Sequence, residues 1–429
     1  KLPPAHLLRV SQSELQVRRW WTLTPPAAAY APRFGTESLA DQFDVRLHAA
    51  VQDRMVADVP VGVLLSGGID SATIAWYMRQ HTKQLHSFSV SFDEPTFDEF
   101  SYAILAAEQL GTTHHNIRFT LDRFHETLDR LRQDLDEPLG DASFLPTLAV
   151  SMESKEHVTV VLDGDGADEL LFGYDTFPAY HASLLYERMP RPVRAMTELF
   201  VQALPTRYTN FSLDFKLKSF LRGMPFSGAV RNQVWLGSFH DKELSTLLTP
   251  RFREHLGTLY RPVMHLEQEF RHLSPLARLS AVYRFTYLSE DILTKIDRAT
   301  MFASLEARTP YLDPRLVSFV LQLPFRERYR AWKGKRILKD AMRGRIPEPI
   351  LQRPKKGFGI PLGQWLRGPL KPLLRETLAP EKLAASGILE PQEVQRLIDE
   401  HLVGKADHRK KLWTLMAFQW WLERWGGKP

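Results

Sequence analysis

From Val59 to Leu65 the chain runs apolar without a break, and Ser66-Gly67-Gly68-Ile69-Asp70-Ser71 follows at once. An uninterrupted run of this kind marks a strand buried on both faces. Ser71 to Arg79 reads as a helix, so the glycine pair sits where a buried strand hands over to a helix. The pattern then repeats. His86 to Phe92 alternates as a strand, and Phe97 to Leu110 is helical and closed by Gly111. His115 to Phe119 is a strand, Leu121 to Leu131 and Phe144 to Ser154 are helices, and Val158 to Leu162 is another all-apolar strand. Such alternation predicts an α/β fold, a parallel sheet covered by helices. Ligands of such sheets sit at the carboxyl ends of the strands.

The flanks read differently. Leu7 to Val10 and Leu15 to Trp21 form two short strands around Ser11-Gln12-Ser13. Pro25-Pro26, Pro32 and Gly35 mark a linker over 25–37, and Ser38 to Met55 has the spacing of an amphipathic helix. Beyond residue 175 strand signals fade, so 38–175 is the α/β core and 176–429 a mainly helical region. Near the end, Trp413, Met416, Trp420 and Trp421 recur at near-helical spacing, as core packing does. Lys405 to Lys411 reads as a solvated basic face.

Composition narrows the chemistry. Over 429 residues, 56 basic and 50 acidic side chains leave a net charge of +6. That small excess fits a protein handling an anionic small molecule at least as well as one binding a polyanion. The basic residues show no aromatic-interleaved stripe, so a nucleic-acid partner is not expected. The absence of cysteine removes disulfides, thiolate metal sites and cysteine nucleophiles together. No apolar run is long enough to span a membrane, and the first ten residues lack a signal-peptide core. A cytoplasmic location is the expectation.

Three constellations carry chemistry. In the first, Gly67 and Gly68 let backbone N–H groups approach an anion, Ser66 and Ser71 add hydroxyls, and the following helix directs its positive end there. Asp70 would repel a phosphate unless a divalent cation stood between them, so it reads as a Mg²⁺ ligand. The chain has no GxxxxGK followed by Ser or Thr, which excludes a Walker-type loop. The second is Asp163-Gly164-Asp165-Gly166-Ala167-Asp168-Glu169, directly after an apolar strand. Its carboxylates repel one another unless a metal or a cationic ligand compensates. The third is basic: Lys333-Gly334-Lys335-Arg336, then Arg353-Pro354-Lys355-Lys356-Gly357-Phe358. A lysine aimed at an α-phosphate stabilises charge that develops during adenylyl transfer. The histidines show no metal-ligand spacing along the chain, and zinc is not expected.

The glycine loop is common to many ATP pyrophosphatases. Joined in order with His86 to Phe92, Asp163 to Leu170, Lys295-Ile-Asp-Arg298, Leu305 to Asp313 and Arg353 to Phe358, it resembles the synthetase domain of glutamine-hydrolysing asparagine synthetase, the bacterial B type. The resemblance runs from about Leu2 to the C-terminal tryptophans. It implies the ATP-pyrophosphatase type of sheet, with ATP and Mg²⁺ as cofactors. Aspartate and ATP would form β-aspartyl-AMP and pyrophosphate, and ammonia would then displace AMP to give asparagine.

By matching position, Ser66, Gly67, Gly68, Asp70 and Ser71 hold the pyrophosphate, and Asp70 and Asp168 ligate Mg²⁺. Leu65, Val90, Asp163 and Gly164 line the adenosine pocket, and Lys335 is the adenylation lysine. Residues 1–24 resemble the last hairpin of a glutaminase domain, which makes that domain of the same precursor a partner; otherwise free ammonia is the expected nitrogen source. A homodimer is compatible with the sequence. One departure matters. Where the family often has Ser-Gly-Glu, this chain has Asp163-Gly164-Asp165, so the catalytic carboxylate of Asp165 is one methylene shorter. A different carboxylate acceptor, as in β-lactam-forming or peptide-cyclising relatives, is one alternative. A tRNA-modifying pyrophosphatase is another.

Overall fold

The structure is a computed structural model and describes residues 2–21, 38–134 and 136–426. The linker expected over 25–37 lies outside the described residues. The expected hairpin forms as β1 (His6–Val10) and β2 (Leu15–Arg19), antiparallel, with Val10 opposite Leu15. Arg19 ties it to the helical region through Glu269, 3.1 Å away.

The sheet is built from β3 (Val61–Leu64), β4 (His86–Ser91), β5 (Thr113–Arg118), β6 (Val160–Leu162) and β7 (Glu306–Arg308). Its order is β5-β4-β3-β6-β7, with every neighbour parallel. Alternation along the strands sets the two faces. Val63, Leu65, Val160 and Leu162 pack on one side with α1 (Leu39–Arg54) and α2 (Ile69–His81). Phe88 and Val161 pack on the other side with α4 (Leu121–Asp134) and α5 (Phe144–Lys155), the intervening helix α3 being Phe100–Leu110. Trp413, Met416 and Trp420 join that second layer and are buried, as their spacing predicts, whereas Trp421 is only half-buried and its indole N–H donates to Asp136 O at 2.8 Å.

Two features differ from the sequence expectation. Helix α2 starts at Ile69, with Gly68 as its cap, so Asp70 and Ser71 lie within its first turn. The mainly helical region also supplies a strand. Glu306-Ala307-Arg308 adds to the edge of the sheet beside β6. Three residues, two of them charged, carry no periodic signal, and only the free edge of β6 makes them a strand.

The connections run from β3 outward to β4 and β5, then return to the other side of β3 for β6. The chain reverses direction across the sheet between β3 and β6. At such a switch point the loops leaving the two strands part and open a crevice at their carboxyl ends. Both glycine-rich loops leave from this point. Among the described residues no helix is long and apolar enough to cross a membrane.

Candidate active site

The first loop is held by its own hydroxyls. Ser66 N–H donates to Ser71 Oγ at 3.1 Å, and the two hydroxyl oxygens are also 3.1 Å apart. Gly67 sits at φ +71°, and a Cβ there would stand 2.6 Å from the backbone nitrogen of Ala103. Only glycine fits that approach. The second loop begins as Asp163 N–H donates to Arg308 O of β7 at 3.1 Å. Asp163 Oδ1 accepts from Asp165 N–H at 3.0 Å, which turns the chain toward α6 (Ala167–Leu171).

The two loops touch. A Cβ on Gly164 would lie 2.9 Å from Asp70 Cβ and 3.0 Å from Ser71 N. Asp70 and Asp168 therefore face the same space, each from the first turn of a helix. Lys335 fills it. Its ammonium donates to Asp70 Oδ2 at 2.6 Å and also contacts Asp168 Oδ1. Lys355 Nζ reaches the other oxygen of Asp168 at 2.6 Å. Lys335 is buried and adopts a left-handed backbone at φ 58°, a costly conformation for a residue with a side chain. Its N–H is bonded to Leu171 O at 2.7 Å, which fixes the lysine against the end of α6.

Charge and burial oppose each other here. Burial pushes the Asp168 carboxyl up, yet Lys335 and Lys355 outweigh it and hold the group at about 2. Asp70 goes the other way: burial raises it despite Lys335. Asp163 is raised well above the carboxylate range by burial and by Asp165. Burial also raises Asp165, against the pull of Lys295 and Lys355. Burial and the charge of Asp168 lift Glu169 to about 7, and its Oε1 accepts from Tyr174 OH at 2.6 Å.

Sequence reasoning singled out Lys335 but missed several supports. Arg353 donates to Gly67 O at 3.1 Å, pairs with Glu99 and lies over the Tyr102 ring, so it braces the first loop. Lys295 donates to Asp141 Oδ2 and Ser143 Oγ, both at 3.1 Å. Tyr311 OH donates to the backbone oxygen of Asp70 at 3.3 Å. These residues come from the motifs at 295–298, 305–313 and 353–358, so the signal was present, though not which residue would reach the loops. Leu65 follows β3 and is buried in the core, its N–H bonded to Phe88 O at 2.7 Å. Val90 lies near the carboxyl end of β4, opposite Ile117. Both stand near the carboxyl ends of their strands, beside the crevice.

The oxygen set suits a hard divalent cation. Asp70 Oδ1 and Asp163 Oδ2 are buried without a hydrogen-bond partner. Asp70 and Asp168 meet at a common point marked by the Lys335 ammonium.

The profile of the asparagine synthase family matches residues 42–423, which takes in both loops, β7 and all three lysines. The chain belongs to the asparagine synthase family. A Mycobacterium tuberculosis protein named "Putative asparagine synthetase (glutamine-hydrolyzing)" is 31% identical over 407 residues, covering 91% of this chain and 60% of its own. "Asparagine synthetase (glutamine-hydrolyzing) 1" of Bacillus subtilis is 29% identical over 376 residues, covering 87% of this chain and 58% of its own. The chain thus spans about three fifths of the length of these relatives. Membership in this family supports an enzyme that uses ATP.

Proposed function

We propose that this chain is an ATP-dependent amide ligase that activates the side-chain carboxylate of aspartate as an acyl-adenylate. The observation that carries this reading is Lys335, buried between Asp70 and Asp168 at the ends of two adjacent parallel strands. A cation held in that place stabilises the negative charge that builds on the α-phosphate during displacement.

In this scheme an oxygen of the aspartate carboxylate attacks the α-phosphorus. The bond to the β-phosphate breaks and pyrophosphate leaves, held by the backbone of Ser66 to Ser71 at the start of α2. Asp70 and Asp168 would hold Mg²⁺, which supplies charge neutralisation to the triphosphate when bound. Leu65, Val90, Asp163 and Gly164 frame the adenosine. Ammonia then attacks the acyl carbon and AMP departs. Asp165, with its raised carboxyl next to Lys295, takes the proton that the nitrogen must lose. The two relatives above are named as glutamine-hydrolysing. We propose glutamine as the source of ammonia here too, through a glutaminase domain of which β1 and β2 form the last hairpin, with 38–175 as the nucleotide core.

A second reading rests on Asp165 itself. A carboxylate one methylene shorter than the glutamate often found at this point leaves room for a bulkier acceptor, so the same adenylation could serve another carboxylic acid. The test is product analysis with ATP, Mg²⁺ and ammonia, offering aspartate beside other carboxylic acids. Asparagine, AMP and pyrophosphate in equal amounts support the first reading. AMP formed only with a different acid supports the second.

A further inference from the structure

The histidines, unremarkable along the chain, converge in space. His86 opens β4, His115 lies in β5, and His157 stands between α5 and β6. One ring nitrogen from each lies within 4.8 Å of the others, and His86 Nδ1 is 2.9 Å from His115 Nε2. The rings of His115 and His157 stack at 3.9 Å between centroids. His86 and His115 are half-buried, whereas His157 is exposed and leaves the cluster open to solvent.

Stacking and the His86–His115 hydrogen bond are the plain account, and the His115 ring also covers Phe88 at 5.0 Å. They explain the packing of the rings. They do not explain why three nitrogen donors, brought from three separate segments, meet at one accessible point. Three imidazole nitrogens on a tetrahedral ion, at about 2.0–2.1 Å each, stand roughly 3.3 Å apart. The observed spacing brackets that value, and a modest turn of the exposed His157 ring closes the set.

We propose that His86, His115 and His157 form a binding site for a divalent ion of the zinc class. All-imidazole donors favour Zn²⁺, Ni²⁺ or Cu²⁺ over the oxygen-seeking Mg²⁺ and Ca²⁺. Glu153, on the last turn of α5, adds a negative charge that acts on His115. The cluster lies toward the amino-terminal ends of the strands. His86 is the first residue of β4, His115 stands opposite Phe88 in mid-strand and His157 precedes β6, whereas the nucleotide loops follow the carboxyl ends of β3 and β6. The ion therefore acts as a clamp on β4, β5 and the turn into β6, not as part of the chemistry at Lys335.

The experiment adds Zn²⁺ or Mg²⁺ to the purified full chain, without nucleotide. Metal content after dialysis and Tm are both read. The expected result is about one Zn²⁺ per chain and a Tm raised by a few degrees, with no such shift from Mg²⁺. Because His157 is exposed, His157→Ala should fold normally yet lose both the bound zinc and the shift. His81→Ala removes a ring from the separate His48–His81 contact and should retain both. Absence of stoichiometric zinc in the wild-type chain overturns the proposal. So does zinc held equally well by His157→Ala, or lost in His81→Ala instead.

Discussion

The ammonium of Lys335 lies 2.6 Å from Asp70 Oδ2, although 265 positions separate the two residues in sequence. Both are buried, and Asp168 shares the same ammonium. Breaking a buried pair costs far more than an exposed one, because the remaining charge has neither water nor partner. Lys335→Met should therefore destabilise the fold by about 3–5 kcal/mol. Urea denaturation monitored by tryptophan fluorescence checks this; a loss below about 1 kcal/mol would mean that water already reaches the carboxylates.

The close approach of the two loops gives a second prediction. A Cβ added at Gly164 would stand 2.9 Å from Asp70 Cβ, so Gly164→Ala must push the acidic loop away from α2. A displacement near 1 Å in a catalytic geometry costs on the order of 10²-fold in rate. The expected outcome is that loss in kcat for AMP formation, with circular dichroism unchanged.

Glu169 makes stability depend on pH. Its folded value of about 7 lies above the ordinary value of 4.5 that it takes when unfolded. The folded state holds the extra proton between these limits, so Glu169 contributes stability below about pH 4.5 that is lost as pH rises through 7. Glu169→Gln cannot lose a proton. Its unfolding free energy should gain on the wild type between pH 5 and pH 8, by up to about 3 kcal/mol, with the denaturation midpoint rising accordingly. Parallel midpoints for the two proteins across that range would contradict the assignment. Asp168, held at about 2, acts with opposite sign and matters only when pH falls below its ordinary value of 3.8.

Much of this arrangement is legible in the sequence, for a physical reason. The loops at 66–71 and 163–169 each follow an apolar strand, and a parallel sheet covered by helices on both faces buries such strands. That these strands are neighbours is a matter of long-range pairing, which no local pattern encodes; it rests on Val61 meeting Val160 and Val63 meeting Leu162. Strand β7 was not legible, since Glu306-Ala307-Arg308 owes its conformation to its neighbour. The roles of Lys355 and Arg353 were hidden for a related reason. A basic run looks the same whether it meets water or, as here, Asp168 and Gly67. The three histidines were invisible because 71 positions separate the first from the last.

Lys335 and Asp70 together are proposed to serve the cleavage of ATP between its α- and β-phosphates. Exchange of labelled pyrophosphate into ATP reads that step alone, without ammonia. With Mg²⁺ and aspartate, the wild-type chain should catalyse exchange, and Asp70→Ala and Lys335→Ala should each reduce it by at least about 10²-fold. Exchange that persists undiminished in both variants would contradict the account.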